Sequence, residues 1–525
     1  MHLAEIRDLD GPNLFLLAPA IKLEIVLEMG ETESTLAQRI EPASEDLNLA
    51  VISWLTARHA AFDLPTPEVD VRRLDDEDHI AIAWSWQHRR FAIALARRLF
   101  EILSGACMGT EFEFGLPFSA DPGDYPLVVR DQGRKAIAIA VTGTNGKTTT
   151  TRLIAHIARA AGNCTGWNSS SGIYLDGREL EAGDYSGPSG ARTILQNPDV
   201  QVAVLETARG GILLRGLGFE SNDVSVFTNI SPDHLDLQGV RTVETLAAVK
   251  AVVCRVTRPG GTVIVNADDP LVRSATNKVS APRTWFTRRI DSDVVQELRA
   301  GGATVFASQN GNIEHWTGDV LQERYALAEI PIAYGGRAVH MIENAMCAVA
   351  ASRAIGIAPD QIRSALATFS NDSEHNPGRL NIYQIGGVTV ILDFAHNEAG
   401  LELLIDFARS GMEPGHRLIS VIGTAGDRTD ASLFEIGRVA GAWSDVVIAK
   451  GTVHYLRGRS PESLMERYRS GARAGNVQAY SESANEITAT EEALAMAQDG
   501  DCIIIMAQEH IPEIQMLLSK SEAGR

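Results

Sequence analysis

The sequence predicts an α/β protein of three parts: a small α+β N-terminal domain (residues 1–132), a central parallel-sheet domain (133–376) and a Rossmann-like C-terminal domain (377–525). Two observations lead to this prediction. Short apolar runs alternate with amphipathic helical segments from about residue 134 onward, which is typical of parallel strands covered by helices. After an Asn-Pro-Gly-Arg break at residues 376–379 a second series of such runs begins, which indicates a further domain. A length of 525 residues fits this number of domains.

The N-terminal segment carries structural patterns but no catalytic constellation. Residues 14–28 alternate between apolar and polar side chains and predict strands, whereas residues 88–103 have helical spacing. Residues 117–125 are rich in proline, glycine and aspartate and predict a linker.

The remainder of the chain predicts two parallel sheets. Apolar runs predict strands at residues 136–141, 200–205, 224–228 and 261–265 in the central domain, and at 388–392, 418–422, 446–449 and 502–506 in the C-terminal domain. Helical segments are predicted at residues 152–161, 242–253 and 341–355. Residues 281–335 read as a β-rich, less regular insertion.

The most informative stretch follows the first central strand. It reads Gly143-Thr144-Asn145-Gly146-Lys147-Thr148-Thr149 and leads into a helix. Backbone N–H groups of such a glycine loop at a helix start point at phosphates, which glycine allows to approach closely. Lys147 adds a positive charge, and the Thr148 hydroxyl is suited to bind Mg²⁺. The strand before the loop and the helix after it favour a polyphosphate site over a glycine-rich turn with an incidental lysine.

Polar residues follow two other central strands. Glu206 ends the second strand, and Asn229 to Asp236 (Asn-Ile-Ser-Pro-Asp-His-Leu-Asp) follow the third. Ligands of parallel sheets lie beyond the carboxyl ends of strands, so these residues are expected beside the glycine loop. Glu206 predicts a metal ligand. Asp233 and His234 predict metal or acid–base groups, with a plain loop as the alternative, and Lys250 by itself reads as a solvated helix residue.

The C-terminal domain adds three polar groups at strand ends and in loops. Asp393-Phe-Ala-His396-Asn397 follows a predicted strand. Arginines of this domain are candidates for bidentate binding of carboxylate or phosphate, with ordinary surface charge as the alternative. These groups are Asp427 with Arg428, and Arg457 with Arg459.

Composition limits the classes of function. The formal net charge of −20 argues against general nucleic-acid binding. No apolar run approaches the length of a membrane span, and the N-terminus lacks the pattern of a signal peptide. The five cysteines are scattered, without a Cys-x-x-Cys pair, which predicts small core residues and a reducing cytoplasm.

Taken together, these motifs resemble those of the Mur ligase superfamily, the ATP-dependent amino-acid ligases of peptidoglycan and folate metabolism. The matching order is the glycine loop, Glu206, the Asn229–Asp236 segment, Lys250, Asn344, Arg379 and Asp393–Asn397. Four segments are similar to the C-terminal half of the cyanophycin synthetase subfamily: residues 206–212, 376–381, 426–428 and 457–459. The opening, residues 6–13, is weakly similar to the start of that subfamily's N-terminal domain.

The resemblance implies a role for each matching position. Residues 143–149 would bind the phosphates of ATP, Asn344 would contact adenine, and Arg379 and Asp393 would touch the nucleotide from the domain junction. Thr148 and Glu206 would hold one Mg²⁺, and His234 a second, with Lys250 as a carbamate. Lys147, His234, Lys250 and His396 would act in catalysis, and Asn397 would line the cleft. Asp427, Arg428, Arg457 and Arg459 are candidates for binding the incoming amino acid or the acceptor.

The implied activity is ATP-dependent amide formation between an acidic amino acid, peptide or polymer and an amino-acid amine, through an acyl phosphate. The space between the N-terminal segment and Gly143 is too short for the ATP-grasp module of the subfamily, which puts the natural substrate in doubt. Glu398 stands where many Mur ligases have proline. Two alternatives remain open: a ligase that adds another amino acid, as in glutamyl chain extension, and a non-catalytic ATP-binding subunit. Small-molecule substrates, no membrane or nucleic-acid partner and a possible homo-oligomer are expected.

Overall fold

The fold contains three β-sheets, one in each segment that the sequence separates. It is seen in a computed structural model, which describes residues 1–107, 109–115, 118, 121–233, 235 and 238–523. None of the described helices is long and apolar enough to cross a membrane. Of the five cysteines, Cys254, Cys347 and Cys502 are buried as predicted, whereas Cys107 and Cys164 are partly exposed.

The N-terminal domain is an antiparallel sheet with helices packed on it. Its strands are β1 (His2–Leu9), β2 (Ala20–Val26), β3 (Val69–Arg73) and β4 (His79–Ser85), and its helices are α1 (Glu33–Ile40), α2 (Leu47–Ala60) and α3 (Arg89–Leu103). The strand order is β1-β2-β4-β3. Of the strands predicted within residues 14–28 the structure contains one, β2, and the helix predicted at 88–103 is confirmed by α3. The exposed edge strand β1 was not predicted, because its side chains carry no core-facing apolar pattern.

Little structure separates this domain from the central sheet. The described residues between α3 and residue 136 hold two short 3₁₀ turns, Pro122–Asp124 and Asp131–Gly133. The predicted linker at 117–125 lies partly outside the described residues. Across the domain boundary, the Asp75 carboxylate accepts hydrogen bonds from the backbone N–H groups of Arg241 and Thr242, at 2.7 and 3.2 Å.

The central domain has the longest sheet. Its strands are β5 (Ile137–Thr142), β6 (Thr165–Ser169), β7 (Gly172–Leu175), β8 (Arg178–Ala182), β9 (Val202–Glu206), β10 (Asn222–Phe227), β11 (Thr257–Asn266), β12 (Arg283–Thr287), β13 (Thr304–Gln309), β14 (Asn312–Thr317) and β15 (Val320–Ala326). Its helices are α4 (Lys147–Ala160), α5 (Pro188–Gln196), α6 (Arg209–Arg215), α7 (Val243–Arg255), α8 (Pro270–Ala275), α9 (Asp293–Ala300), α10 (Val339–Ala354) and α11 (Pro359–Leu366).

The strand order β15-β14-β13-β12-β11-β10-β5-β9-β6-β7-β8 confirms the predicted parallel sheet. The strands from β13 to β6 in this order pair in parallel, and antiparallel hairpins close both ends. Helices cover both faces of β5: Ile139 and Val141 pack in the core with α4 and α10, whereas Ala138 and Ala140 pack with α5 and α7. Two buried faces explain why the strand is an unbroken apolar run.

The β-rich character predicted for residues 281–335 is confirmed, but the prediction that they form a less regular insertion is wrong. β12 and β13 extend the parallel sheet in register, and β14 and β15 form its antiparallel edge. The edge strand β15 is half exposed and carries polar residues. The hydrophobic periodicity of the sequence therefore does not reveal that the sheet continues here.

The C-terminal domain is a second mainly parallel sheet. Its strands are β16 (Asn381–Ile385), β17 (Val388–Asp393), β18 (Leu418–Ile422), β19 (Val446–Lys450), β20 (Ala479–Ser483) and β21 (Cys502–Met506), and its helices are α12 (Glu398–Ser410), α13 (Asp430–Trp443), α14 (Pro461–Ala474), α15 (Glu486–Met496) and α16 (Ile511–Ala523). The order is β16-β17-β21-β18-β19-β20. The four predicted strands are confirmed, and the two that were missed, β16 and β20, are the edges.

Candidate active site

The glycine loop connects β5 to α4 in a shape that requires glycine. Gly143 has φ +144° and Gly146, the N-cap of α4, has φ +87°. A Cβ atom on Gly143 would lie 1.9 Å from Thr228 Oγ1, and one on Gly146 would lie 2.2 Å from Asn344 Oδ1. The loop is therefore packed tightly from behind, and the N-terminus of α4 is left to face a ligand.

Residues at the end of β10 hold this loop. Asn229 Oδ1 accepts a hydrogen bond from the Asn145 backbone N–H at 2.9 Å, and Thr228 Oγ1 donates to the Asn145 carbonyl at 2.7 Å. The Asn145 and Asn397 side-chain amides bond each other reciprocally, at 3.3 and 3.2 Å. The last pair joins the loop to the C-terminal domain, where Asn397 also caps α12.

Thr148 and Glu206 form a pair that fits a divalent cation. Thr148 Oγ1 donates to Glu206 Oε1 at 3.0 Å, and the Ser170 backbone N–H donates to Glu206 Oε2 at 3.3 Å. Burial raises the pKa of Glu206, although Lys147 and Arg379 oppose the shift. A buried carboxylate beside a hydroxyl is an oxygen donor set of the kind that Mg²⁺ prefers. Nowhere in the described part of the chain do three or more His, Cys, Asp or Glu side chains group so that they could hold a metal ion among them.

The two lysines beside the loop are held by its own carbonyls. Lys147 Nζ donates to the Thr144 carbonyl at 2.8 Å, and Lys250 Nζ donates to the Gly143 carbonyl at 2.7 Å. Lys250 is buried rather than solvated, and its pKa is lowered well below the usual value by burial and by Lys147. His234, the other predicted ligand of a second ion, lies outside the described residues, as does Asp236.

The segment between α11 and β16, residues 367–380, is here called the linker. It carries Arg379 to the loop cavity, which Asp393 at the end of β17 also lines. Arg379 Nη2 donates to Thr148 Oγ1 at 3.4 Å, and its guanidinium lies 4.1 Å from the centre of the Phe394 ring. Burial lowers the pKa of Arg379 to about 10, against the opposing effect of Asp393. Asp393 accepts backbone N–H bonds from Leu380 and Ala395, at 2.8 and 2.7 Å.

Two cavities meet at the loop. The first, here called the loop cavity, has a volume of about 770 Å³ and is lined by Thr144 to Thr149, Asn344, Arg379, Asp393 and His396, and by residues after β11 and β12. The second, called the junction cavity, has about 570 Å³ and is lined by Glu206, Arg209, Asp233, Lys250, Asp427, Arg428 and Arg457. Both include Lys147, Thr148, Arg379, Phe394 and His396, so these residues form the boundary between the two spaces.

A charged cluster joins the domains in the junction cavity. Asp233 forms an ion pair with Arg428, and its Oδ2 lies 4.0 Å from His396 Nε2. Burial lowers the pKa of His396 to about 4, so its imidazole is neutral near pH 7. Cationic side chains outnumber carboxylates in this cavity, which favours an anionic ligand.

The remaining predicted residues fall into different places. Asp427 and Arg457 form an ion pair on the wall of the junction cavity, and the Arg457 side chain is 45% exposed. Arg459 is not in the lining: it donates to the Gly426 and Arg428 carbonyls, at 2.8 and 2.9 Å, and supports the loop that presents Arg428.

Several lining residues were missed by the sequence predictions. Arg209 is buried in the junction cavity, and its place in the segment after Glu206 was the only signal for it. In the loop cavity, Glu343 pairs with Arg288 at 2.7 Å, and His340 also lines this cavity. No sequence motif predicted Arg288, His340 and Glu343, because they come from a strand end and a helix that are far apart in sequence.

Family models match most of the two larger domains. The Mur ligase middle domain matches residues 141–352, and the Mur ligase glutamate ligase domain matches residues 378–508. Together they cover more than half of the chain.

Curated relatives agree. The chain is 38% identical to a cyanophycin synthetase of Synechocystis over 389 residues, which are 74% of this chain and 44% of that protein. It is 28% identical to a UDP-N-acetylmuramoyl-L-alanyl-D-glutamate–2,6-diaminopimelate ligase of Geobacillus kaustophilus over 418 residues, covering 74% of this chain and 80% of that protein. The match thus spans less than half of the length of the cyanophycin synthetases.

Solved structures share the fold. FolC of E. coli in complex with ADP has a TM-score of 0.54 at 20% identity, covering 74% of this chain and 91% of that one. A bifunctional folylpolyglutamate synthase/dihydrofolate synthase with Mn, AMPPNP and L-glutamate bound has the same score, identity and coverage. From the two family-model matches, which together cover more than half of the chain, and from the order of its motifs along the two larger domains, the chain belongs to the Mur ligase family.

Proposed function

We propose that this chain is an ATP-dependent ligase that forms an amide or isopeptide bond between a carboxylate of an acidic amino acid, peptide or polymer and the amine of an amino acid. The observation that carries the proposal is the meeting of two cavities at Lys147 and Thr148. A nucleotide in the loop cavity would present its terminal phosphate at this boundary, and an acid in the junction cavity would reach it from the other side.

The nucleotide would be held by the glycine loop. The backbone N–H groups of residues 143–149 and the Lys147 ammonium would bind its phosphates. The base would lie toward Asn344, which lines the loop cavity. Thr148 and Glu206 would hold a Mg²⁺, which when bound neutralises phosphate charge. A second ion would involve His234 and Lys250. Because its amine is buried with a lowered pKa, Lys250 is suited to form a carbamate, which requires the neutral amine.

The first step is phosphoryl transfer. An oxygen of the acceptor carboxylate attacks the γ-phosphorus of ATP, the bond to the bridging oxygen breaks, and ADP and an acyl phosphate result. Here the protein places the reactants and neutralises charge. Lys147 and Arg379 supply positive charge at the boundary, and the cationic excess of the junction cavity offsets the repulsion between two anions.

The second step is amide formation. The neutral amine attacks the acyl carbon, phosphate leaves with the C–O bond electrons, and the nitrogen loses a proton. His396 and Asp233 are the candidates to accept this proton, because a neutral imidazole and a carboxylate lie together at the boundary. Closure of the cleft between the two larger domains would exclude water, the competing nucleophile.

The resemblance of the sequence to the cyanophycin synthetase subfamily narrows the choice of substrates. The Mur-like step of that subfamily joins arginine to an aspartate side chain, which favours arginine as the amine and an aspartate side chain as the acid. Asp427, Arg428 and Arg457 on the junction cavity wall would recognise the acceptor or the amino acid. The folylpolyglutamate synthase fold keeps glutamyl chain extension as the second candidate, and a non-catalytic ATP-binding role as the third.

The test is ADP release from ATP and Mg²⁺ with a panel of acids and amino acids. Release that requires both an acidic acceptor and arginine is the expected result, with the product identified by mass spectrometry. Release that requires glutamate would favour the second candidate. No ADP release with any acid and amine would contradict the ligase proposal and favour a binding role.

A further inference from the structure

The candidate site contains a buried cation to which the proposed reaction assigns no part. Arg152 lies on α4, one turn after Thr148, and its side chain is buried. Its Nη1 donates to Asn376 Oδ1 at 3.1 Å and to the Pro377 carbonyl at 3.4 Å. Its Nη2 donates to Ser171 Oγ at 2.7 Å.

These acceptors are neutral oxygens, so they do not offset the positive charge of the guanidinium. Burying a cation without such compensation is costly. Burial lowers the pKa of Arg152, and the charge of Glu206 opposes this shift. A planar guanidinium can bond two separate segments at once in fixed directions, which an ammonium or an apolar side chain cannot do. The arrangement therefore suits a brace between segments better than it suits core packing.

The first braced segment is the linker that carries Arg379. Asn376 Nδ2 donates to Thr149 Oγ1 at 3.2 Å, and the Asn376 carbonyl accepts from Asn381 Nδ2 at 3.0 Å. The linker is thus fixed to α4 on one side and to β16 on the other. Three residues after Asn376, Arg379 reaches Thr148 at 3.4 Å.

The second braced segment is the turn between β6 and β7. Ser171, which accepts from Arg152, follows Ser170, whose backbone N–H donates to Glu206 and whose hydroxyl lies 3.3 Å from Thr148 Oγ1. Arg152 therefore touches both segments that contact the Thr148–Glu206 pair: the linker through Arg379 and the β6–β7 turn through Ser170.

We propose that Arg152 is a positioning residue: by fixing linker residues 376–377 against α4, it places the Arg379 guanidinium beside Thr148, where the transferred phosphoryl group would lie. The inference rests on the proposed ligase function, because it assigns Arg152 an effect on phosphoryl transfer through Arg379.

A double-mutant cycle tests this link. In ADP-release assays at saturating ATP, we expect Arg152→Met to lower kcat by about 10- to 50-fold, with the KM for the amino acid changed less than about 2-fold. In an Arg379→Ala background, the same substitution should lower kcat by less than about 2-fold. Losses that multiply fully in the double variant would overturn the inference.

Controls separate positioning from general damage. Arg159→Met lies two turns further along α4, where the half-exposed Arg159 pairs with Asp176 at 3.6 Å in the turn between β7 and β8, and it should keep kcat within about 2-fold. If Arg152→Met does not fold, Arg152→Lys is tested instead, because it keeps the positive charge but loses the planar guanidinium that bonds both segments. A wild-type kcat in this variant would overturn the inference.

A measurement without turnover completes the design. We expect limited proteolysis within residues 371–381 to be faster in Arg152→Met than in the wild type or in Arg159→Met, because the linker loses its bonds to α4. Unchanged cleavage would overturn the inference. Wild-type protein that releases no ADP would instead reject the proposed function, and the proteolysis result would still decide whether Arg152 fixes the linker.

Discussion

The loop cavity and the junction cavity share one wall but are built differently. On its phosphate side the loop cavity is shaped by backbone, with Gly143 and Gly146 in conformations that other residues rarely adopt. The junction cavity is shaped by charged side chains from both larger domains, such as Asp233 with Arg428 and Asp427 with Arg457. The conformation of the glycine loop is set by a short local sequence, whereas a charge pair such as Asp233 with Arg428 depends on where two domains meet. We therefore expect the loop cavity to contribute little to the choice of substrate and the junction cavity to determine it.

The largest effect should come from the shared wall. Lys147→Ala removes the ammonium beside both cavities, and one positioned contact of this kind contributes roughly 3–4 kcal/mol to transition-state stabilisation. We expect ADP release to fall by about 100-fold or more, with the circular dichroism spectrum unchanged. Normal turnover by the folded variant would contradict the proposed function and remove the basis of the comparison.

The next largest effect should appear on the junction side alone. Arg428→Ala removes the buried guanidinium that pairs with Asp233, and losing such a charged contact typically costs about 2–3 kcal/mol. We expect kcat/KM for the acceptor to fall about 30- to 100-fold while the KM for ATP stays within about 2-fold. The control is Arg438→Ala, which breaks an exposed pair with Glu435 on α13. An equal loss in the KM for ATP would show that the cavities do not act separately.

The stability of the protein should depend on pH through Glu343, which lines the loop cavity. Burial raises the pKa of Glu343 from its usual value of 4.5 to about 7, despite Arg288. Because the folded-state pKa is the higher one, its stabilising contribution is complete below pH 4.5 and is lost as pH rises through about 7. Since Glu343 is 20% exposed, we expect a loss of about 1–2 kcal/mol.

Urea unfolding at pH 5 and pH 8 measures this contribution. Glu343→Gln keeps the shape of the side chain without titration, so the variant should become more stable relative to the wild type at pH 8 than at pH 5. The control is Glu435→Gln on the exposed face of α13, which should show a smaller difference. The same pH dependence in the wild type and in Glu343→Gln would exclude a raised pKa at this site.

The smallest effect should come from the exposed pair. Arg457→Ala breaks the contact with Asp427, but an ion pair of which one partner is 45% exposed contributes only about 0.2–1 kcal/mol. We expect kcat/KM for the amino acid to fall less than about 5-fold, measured in the same assay at two salt concentrations. A loss as large as that of Arg428→Ala would show that the substrate is recognised at the exposed edge of the junction cavity.

The sequence predictions succeeded where the signal is local and failed where it is shared between distant segments. The glycine loop and the strand-end placement of Glu206 follow from strand, turn and helix patterns a few residues long. The edge strands β1, β16 and β20 were missed, and residues 281–335 were misread, because half-exposed strands lack a continuous apolar run. Arg459 is indistinguishable from Arg457 in sequence, yet only Arg457 lines the junction cavity. The roles of the predicted site residues stay predictions until the variants are measured.

The amino-acid sequence by itself determined the α/β class, the glycine loop between strand and helix, and the family, because each depends on neighbouring residues whose conformations are set by sterics and periodicity. Only the tertiary structure decided which charges face each other: that Lys250 is buried against Gly143, that Asp233 meets Arg428 from another domain, and that Arg152 joins α4 to the linker. Such contacts span from about 100 to more than 200 residues of chain, and burial, which sets their energies, exists only after the domains have packed together.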